Sequence, residues 1–128
     1  MEVITVTPRP GWSIFKAKGD LLRDDIIVAI TTHLPQLAAP HIIWDLTEAS
    51  MNRMTRADFA AVAEAAKSLN LKRGRAKTAF VGSSQDTLAV TFMYTGLASL
   101  AELAIEYAAF GTVAEAERWI SGGENASG

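Results

Sequence analysis

His41-Ile42-Ile43-Trp44-Asp45-Leu46 (HIIWDL), bounded by Pro40, is the stretch whose reading decides the fold. Its apolar residues run continuously where a half-exposed strand would alternate, which predicts a strand covered on both faces, as the strands of parallel sheets are. Lys77–Val81 (KTAFV) is a second such strand, and Ile105–Phe110 (IEYAAF) reads as a further strand. The intervening segments have helical spacing. Thr55–Leu69 places Phe59, Val62, Ala63, Ala66 and Leu69 on one face, with Asp58 three residues after Thr55 in near capping-box spacing. Gln85–Leu103 is a longer helix with Leu88, Phe92, Leu100 and Leu103 among its apolar positions.

Toward the amino terminus, Glu2–Thr7 and Trp12–Lys18 both alternate and flank the turn cluster Pro8-Arg9-Pro10-Gly11, which predicts an antiparallel hairpin. Leu22, Ile26, Ile30 and Leu34 recur at helical spacing until Pro35 stops them. Near the carboxyl terminus, Thr112 and Glu115 form a capping box for a last helix carrying Val113, Ala116, Trp119 and Ile120. The expected order is β-β-α-β-α-β-α-β-α. This is an α/β fold with right-handed crossovers, a mainly parallel sheet and an antiparallel N-terminal hairpin. One domain is expected over residues 1–120, followed by a flexible tail, Ser121–Gly128 (SGGENASG).

At 128 residues the chain suits one domain, and its 49% apolar and 20% charged content excludes a disordered one. Without cysteine there is no disulfide, thiolate nucleophile or thiolate metal site. A net charge of −2 gives no general attraction to nucleic acid or anionic membrane. The basic run Lys67, Lys72, Arg73, Arg75 and Lys77 has no interleaved aromatic residue on which a single strand could stack, and it reads as a solvated turn. No basic region precedes the first apolar run, and the longest helix-like apolar stretch, Leu88–Ala104, is interrupted by Thr91, Thr95, Ser99 and Glu102. Neither a signal peptide nor a membrane span is expected, and the expected location is cytoplasmic.

This order, with the strings Ile42-Ile43-Trp44-Asp45-Leu46-Thr47, Lys77-Thr78-Ala79-Phe80-Val81 and Ala116-Glu117-Arg118-Trp119-Ile120, resembles the SpoIIAA-like branch of the STAS domains, the sulphate-transporter and anti-sigma-factor-antagonist family. The resemblance covers roughly residues 2–120, and the fold is similar to that of the lipid-carrying CRAL-TRIO domains. In antagonist-type members an Asp-Ser-Ser-Gly loop follows the central strand, and its second serine is phosphorylated by a partner kinase. That loop falls on Arg53-Met54-Thr55-Arg56, where Thr55 supplies a hydroxyl but Arg53 replaces the aspartate and Arg56 the glycine. The resemblance therefore implies a partner-binding surface from Thr47 to Asp58, with a degraded phosphorylation motif.

Read from the residues themselves, Thr55 is a helix cap, although a phosphate between two arginines at a helix start is electrostatically favoured. Asp45 has no partner carboxylate at a strand end and is expected to shape the following loop, without a catalytic role. His33 and His41 bracket a connection that offers no third metal ligand, so no metal or cofactor is expected. Ser83 is not in a nucleophile elbow, and no phosphate-binding glycine motif follows Val81. The surplus apolar residues Phe92, Met93, Tyr94 and Leu97 nearly encircle their helix and mark an interface or a ligand face. The sequence therefore leads to a non-catalytic protein-interaction or regulatory module that self-associates as a homodimer. The alternative is a binding module for a small apolar or lipid-like ligand.

Overall fold

The computed structural model describes residues 4–36, 40–50, 53–55, 57–58, 60–62, 64–65, 76–82 and 105–126. Strands β1 (Ile4–Arg9) and β2 (Trp12–Asp20) pair antiparallel, with Arg9 opposite Trp12 across a two-residue turn. Pro10 brings a fixed φ to the first turn position, and Gly11 has φ 97°, a left-handed conformation that a side chain would strain. Helix α1 (Arg23–His33) follows and tightens into a single 3₁₀ turn, Leu34–Gln36, which takes in Pro35. Next come β3 (His41–Ser50), helical backbone at 57–58, 60–62 and 64–65, β4 (Ala76–Val81), β5 (Ile105–Phe110) and helix α2 (Val113–Ala126).

The five strands form one mixed sheet in the order β1-β2-β3-β4-β5, antiparallel between β1 and β2 and parallel thereafter. The α/β class, the hairpin and the parallel sheet agree with the sequence reading. The helix expected over Gln85–Leu103, and with it Phe92, Met93, Tyr94 and Leu97, lies outside the described residues.

Alternation across β3 creates two cores. Ile42, Trp44 and Leu46 point to one face, where they join Phe15, Ala17, Leu21, Ile26, Ile30, Met54, Val62 and Phe80 beneath α1 and the helical residues that follow β3. Ile43 points to the other, with Ala79, Val81, Ala116 and Ile120 beneath α2. Phe15 and Trp44 stack at 4.8 Å between ring centres, which locks β2 to β3 on the first face. Fully burying side chains such as Phe15 or Ile43 is worth roughly 1.5–3 kcal/mol each, so a one-residue slip of β3 would exchange both sets at once.

Several boundaries differ from the expectation. β1 runs on through Pro8 and Arg9, which the sequence reading gives to the turn cluster, because they pair with Ser13 and Trp12 and leave only Pro10 and Gly11 to turn. β2 runs to Asp20 and β3 to Ser50, because the pairs Lys18↔Glu48, Gly19↔Ala49 and Asp20↔Ser50 extend the ladder past the last buried residue, Leu46. Hydrogen bonding continues there without a hydrophobic signal. α2 continues beyond Ile120 to Ala126, where the sequence reading begins a flexible tail at Ser121; the Ser121 hydroxyl donates to the Glu117 carbonyl at 2.7 Å, one turn back. At the start of α2, Glu115 N–H donates to Thr112 Oγ1 at 3.2 Å, as the capping box predicts. Among the described residues, no helix is long and apolar enough to cross a membrane.

Thr78 is 3% exposed and its hydroxyl has no hydrogen-bond partner. Its register neighbours are Ile42 and Tyr107, which places it on the first face. An unsatisfied buried hydroxyl opposes folding, and valine has the same shape without it. Thr78→Val is therefore expected to raise stability by about 1 kcal/mol in urea unfolding. A loss of stability instead would mean that the hydroxyl is bonded in solution.

Candidate functional site

The carboxyl ends of β2, β3 and β4 lie along one edge of the sheet, the edge at which open α/β sheets place their binding sites. Of the residues singled out from the sequence, Asp45 and Thr47 lie within β3 and Arg53 and Thr55 beyond its end; Arg56 lies outside the described residues.

Asp45 sits inside β3 and not in a loop after it. Its side chain is buried on the α2 side of the sheet, in register with Lys16 of β2 and Val81 of β4. Two residues on, the backbone N–H and the hydroxyl of Thr47 both donate to Asp45 Oδ1, at 3.1 and 2.7 Å. This grip coincides with an irregularity in the ladder. Lys16 pairs with Asp45 but Lys18 pairs with Glu48, so Ala17 alone faces both Leu46 and Thr47. An extra residue at a bulge leaves its amide without a ladder partner. Asp45 supplies that partner, and the strand resumes beyond it. Past the bulge, the Leu21 amide donates to the Ser50 carbonyl at 2.8 Å and ties the end of β3 to the start of the α1 connection.

The bulge places Glu48 over β2, where Lys16 Nζ meets its Oε2 at 2.8 Å. The hydrogen bond from Lys16, and then the charges of Lys16 and Lys18, hold the Glu48 carboxyl below its ordinary value. The same bond, and then the charge of Glu48, raise Lys16. Sequence reasoning missed this pair. Glu48 reads as a loop residue, and only the shifted register puts it beside a lysine thirty-two positions earlier.

Thr55 is exposed and joined to Asp58 in both directions: Asp58 N–H donates to Thr55 Oγ1 at 3.1 Å and Thr55 N–H donates to Asp58 Oδ2 at 3.0 Å. This is the reciprocal capping box that the spacing predicts, with aspartate in the usual glutamate place. The other carboxylate oxygen of Asp58 lies 3.8 Å from Arg23 at the start of α1. Arg53 is exposed and Met54 between them is buried in the first core, which anchors the loop.

The candidate residues thus fall into separate bonded groups on β3 and at the helix start beyond it. Asp45 holds Thr47, Lys16 holds Glu48, and Thr55 and Asp58 hold each other, with Arg23 alongside. Among the described residues the large apolar side chains left exposed are Leu22 and Val28, both on the α1 side. No protein-family model matches the chain, and no curated protein shows significant similarity to it.

Two outcomes follow. Thr55→Ala removes the acceptor for the Asp58 amide and should lower stability by about 1 kcal/mol, read as a shift in the urea midpoint. An unchanged midpoint would refute the capping role. For Glu48, a folded-state value below the unfolded one means that its contribution is full above the unfolded value near 4.5 and is lost as pH falls through the folded value. Glu48→Gln should therefore flatten the loss of stability below pH 4.5, and the difference from the native chain should shrink in about 1 M salt, because both side chains reach solvent. Superimposable acid profiles for the two proteins would contradict the ion pair.

Proposed function

We propose that this chain is a non-catalytic recognition module of the SpoIIAA-like STAS type, a homodimer that meets a protein partner through the carboxyl edge between Thr47 and Asp58. The observation that carries this reading is the mutual bonding of the polar groups along that edge. A reaction centre needs a nucleophile or base aimed at the place a substrate occupies. Here the Asp45 carboxylate is engaged by Thr47, the Thr55 hydroxyl by the Asp58 amide, and the Glu48 carboxylate by Lys16. Such groups build a surface of fixed shape and mixed charge. The mixed sheet, with its antiparallel first pair and parallel remainder, is compatible with the proposed type.

For self-association the reading rests on the sequence, on the surplus apolar residues Phe92, Met93, Tyr94 and Leu97. A second reading, a site for a small apolar or lipid-like ligand, is favoured by the unpartnered Thr78 hydroxyl near the stacked rings of Phe80 and Tyr107, 6.2 Å apart. A polar atom within an apolar wall is what such ligands use for orientation.

Native mass spectrometry of the full chain separates the two. The expected spectrum is a dimer without adduct, and Tyr94→Glu should shift it to monomer while circular dichroism stays native, because an unpaired charge at an interface costs several kcal/mol. A monomeric native chain would overturn the homodimer, and a retained small-molecule adduct would favour the ligand reading.

A further inference from the structure

At the opposite, amino edge of the sheet the β3–β4 ladder begins with Ile42↔Thr78. One residue earlier, the Lys77 backbone N–H donates to His41 Nδ1 at 3.0 Å, so an imidazole takes the place of a ladder carbonyl. A ring nitrogen accepts a hydrogen bond only while unprotonated, which fixes the neutral tautomer with its proton on Nε2. The side chain of the same lysine reaches α2. Lys77 Nζ donates to the Trp119 carbonyl at 3.2 Å and lies 5.1 Å from the centre of the Trp119 ring. Trp119 in turn contacts Phe110 of β5, with ring centres 5.5 Å apart. One residue therefore joins the first rung of the parallel ladder to the helix that covers the second core.

The charged groups of the described elements around His41 are few. On β4 there is Lys77 itself, and on β5 Glu106, its register partner. On α2, Glu117 and Arg118 lie near Trp119 in sequence, with Glu115 a turn earlier. On β1, Arg9 stands opposite Trp12, whose other register neighbour is His41. The charges of β2, at Lys16, Lys18 and Asp20, lie toward its far end. The group bonded directly to His41 is the Lys77 backbone amide, a donor whatever the charge of the lysine side chain.

We propose that His41 is a protonation-sensitive latch: neutral, it holds the Lys77 amide and the start of β4, and protonated, it releases both and loosens the clasp of Lys77 on α2. A proton taken from solvent onto Nδ1 turns the acceptor into a donor facing another donor. The device is independent of the recognition surface, which lies at the other end of the strands.

Nitrogen and amide NMR of the full chain tests it. At neutral pH the His41 ring should show an unprotonated Nδ1 and a protonated Nε2. As the ring titrates, exchange protection of the Lys77 amide, corrected for the intrinsic pH dependence, should fall about tenfold, the weight of one such bond. The Trp119 indole signal should move with the same midpoint. His41→Gln keeps an acceptor oxygen and should lose the pH step. A protonated Nδ1 at neutral pH, a Lys77 amide indifferent to the titration, or a step that survives in His41→Gln would each overturn the latch. If His41→Gln does not fold, the two measurements on the native chain decide.

Discussion

The central strand β3 has to satisfy two cores with five consecutive buried residues, and this constraint organises the rest of the molecule. Ile42, Trp44 and Leu46 are committed to the α1 side, while Ile43 is committed to the α2 side and Asp45 points the same way. Neighbours on both sides are aligned by this alternation: Phe15 against Trp44 on β2, and Ala79 and Phe80 against Ile43 and Trp44 on β4. Because a strand has only two faces, no residue of β3 can change sides without displacing a partner in the other core.

A carboxylate placed on such a strand is costly to bury unless it is bonded. Asp45 meets that requirement locally, through the amide and hydroxyl of Thr47, and in doing so settles the ladder irregularity. The consequence reaches further than the turn. With the bulge in place, β3 runs on for three more paired residues, Glu48 comes over Lys16, and Ser50 accepts the Leu21 amide that leads into α1. The strand part of the surface proposed to meet a partner thus follows from a bulge at which a single buried side chain is bonded.

Much of this architecture is legible in the chain itself. Apolar runs mark β3 and β4, the Pro10-Gly11 turn marks the hairpin, and the spacing of Thr55 to Asp58 and Thr112 to Glu115 marks two helix starts, the first closed as a reciprocal capping box and the second by the Glu115 amide on the Thr112 hydroxyl. What escapes sequence reading is what depends on register. The ends of β2 and β3 carry alternating exposure and charge, so hydrophobic periodicity stops at Leu46 although the hydrogen bonding does not. Glu48 and Lys16 become partners only through the bulge, and His41 looks like one end of a loop until its ring is seen accepting the Lys77 amide. Asp45 is recognisable as a shaping residue near the end of the apolar run, but its bond to Thr47 across a bulge is not.

The account stands on Asp45 replacing a missing ladder bond, and amide hydrogen exchange at Thr47 measures that replacement directly. In the native protein the Thr47 amide should exchange slowly despite the residue's exposure, and in Asp45→Ala both it and the Leu21 amide should become fast while Ile42 and Ile43 stay protected. A Thr47 amide that exchanges freely in the native protein, or that stays protected without the Asp45 carboxylate, would contradict the account.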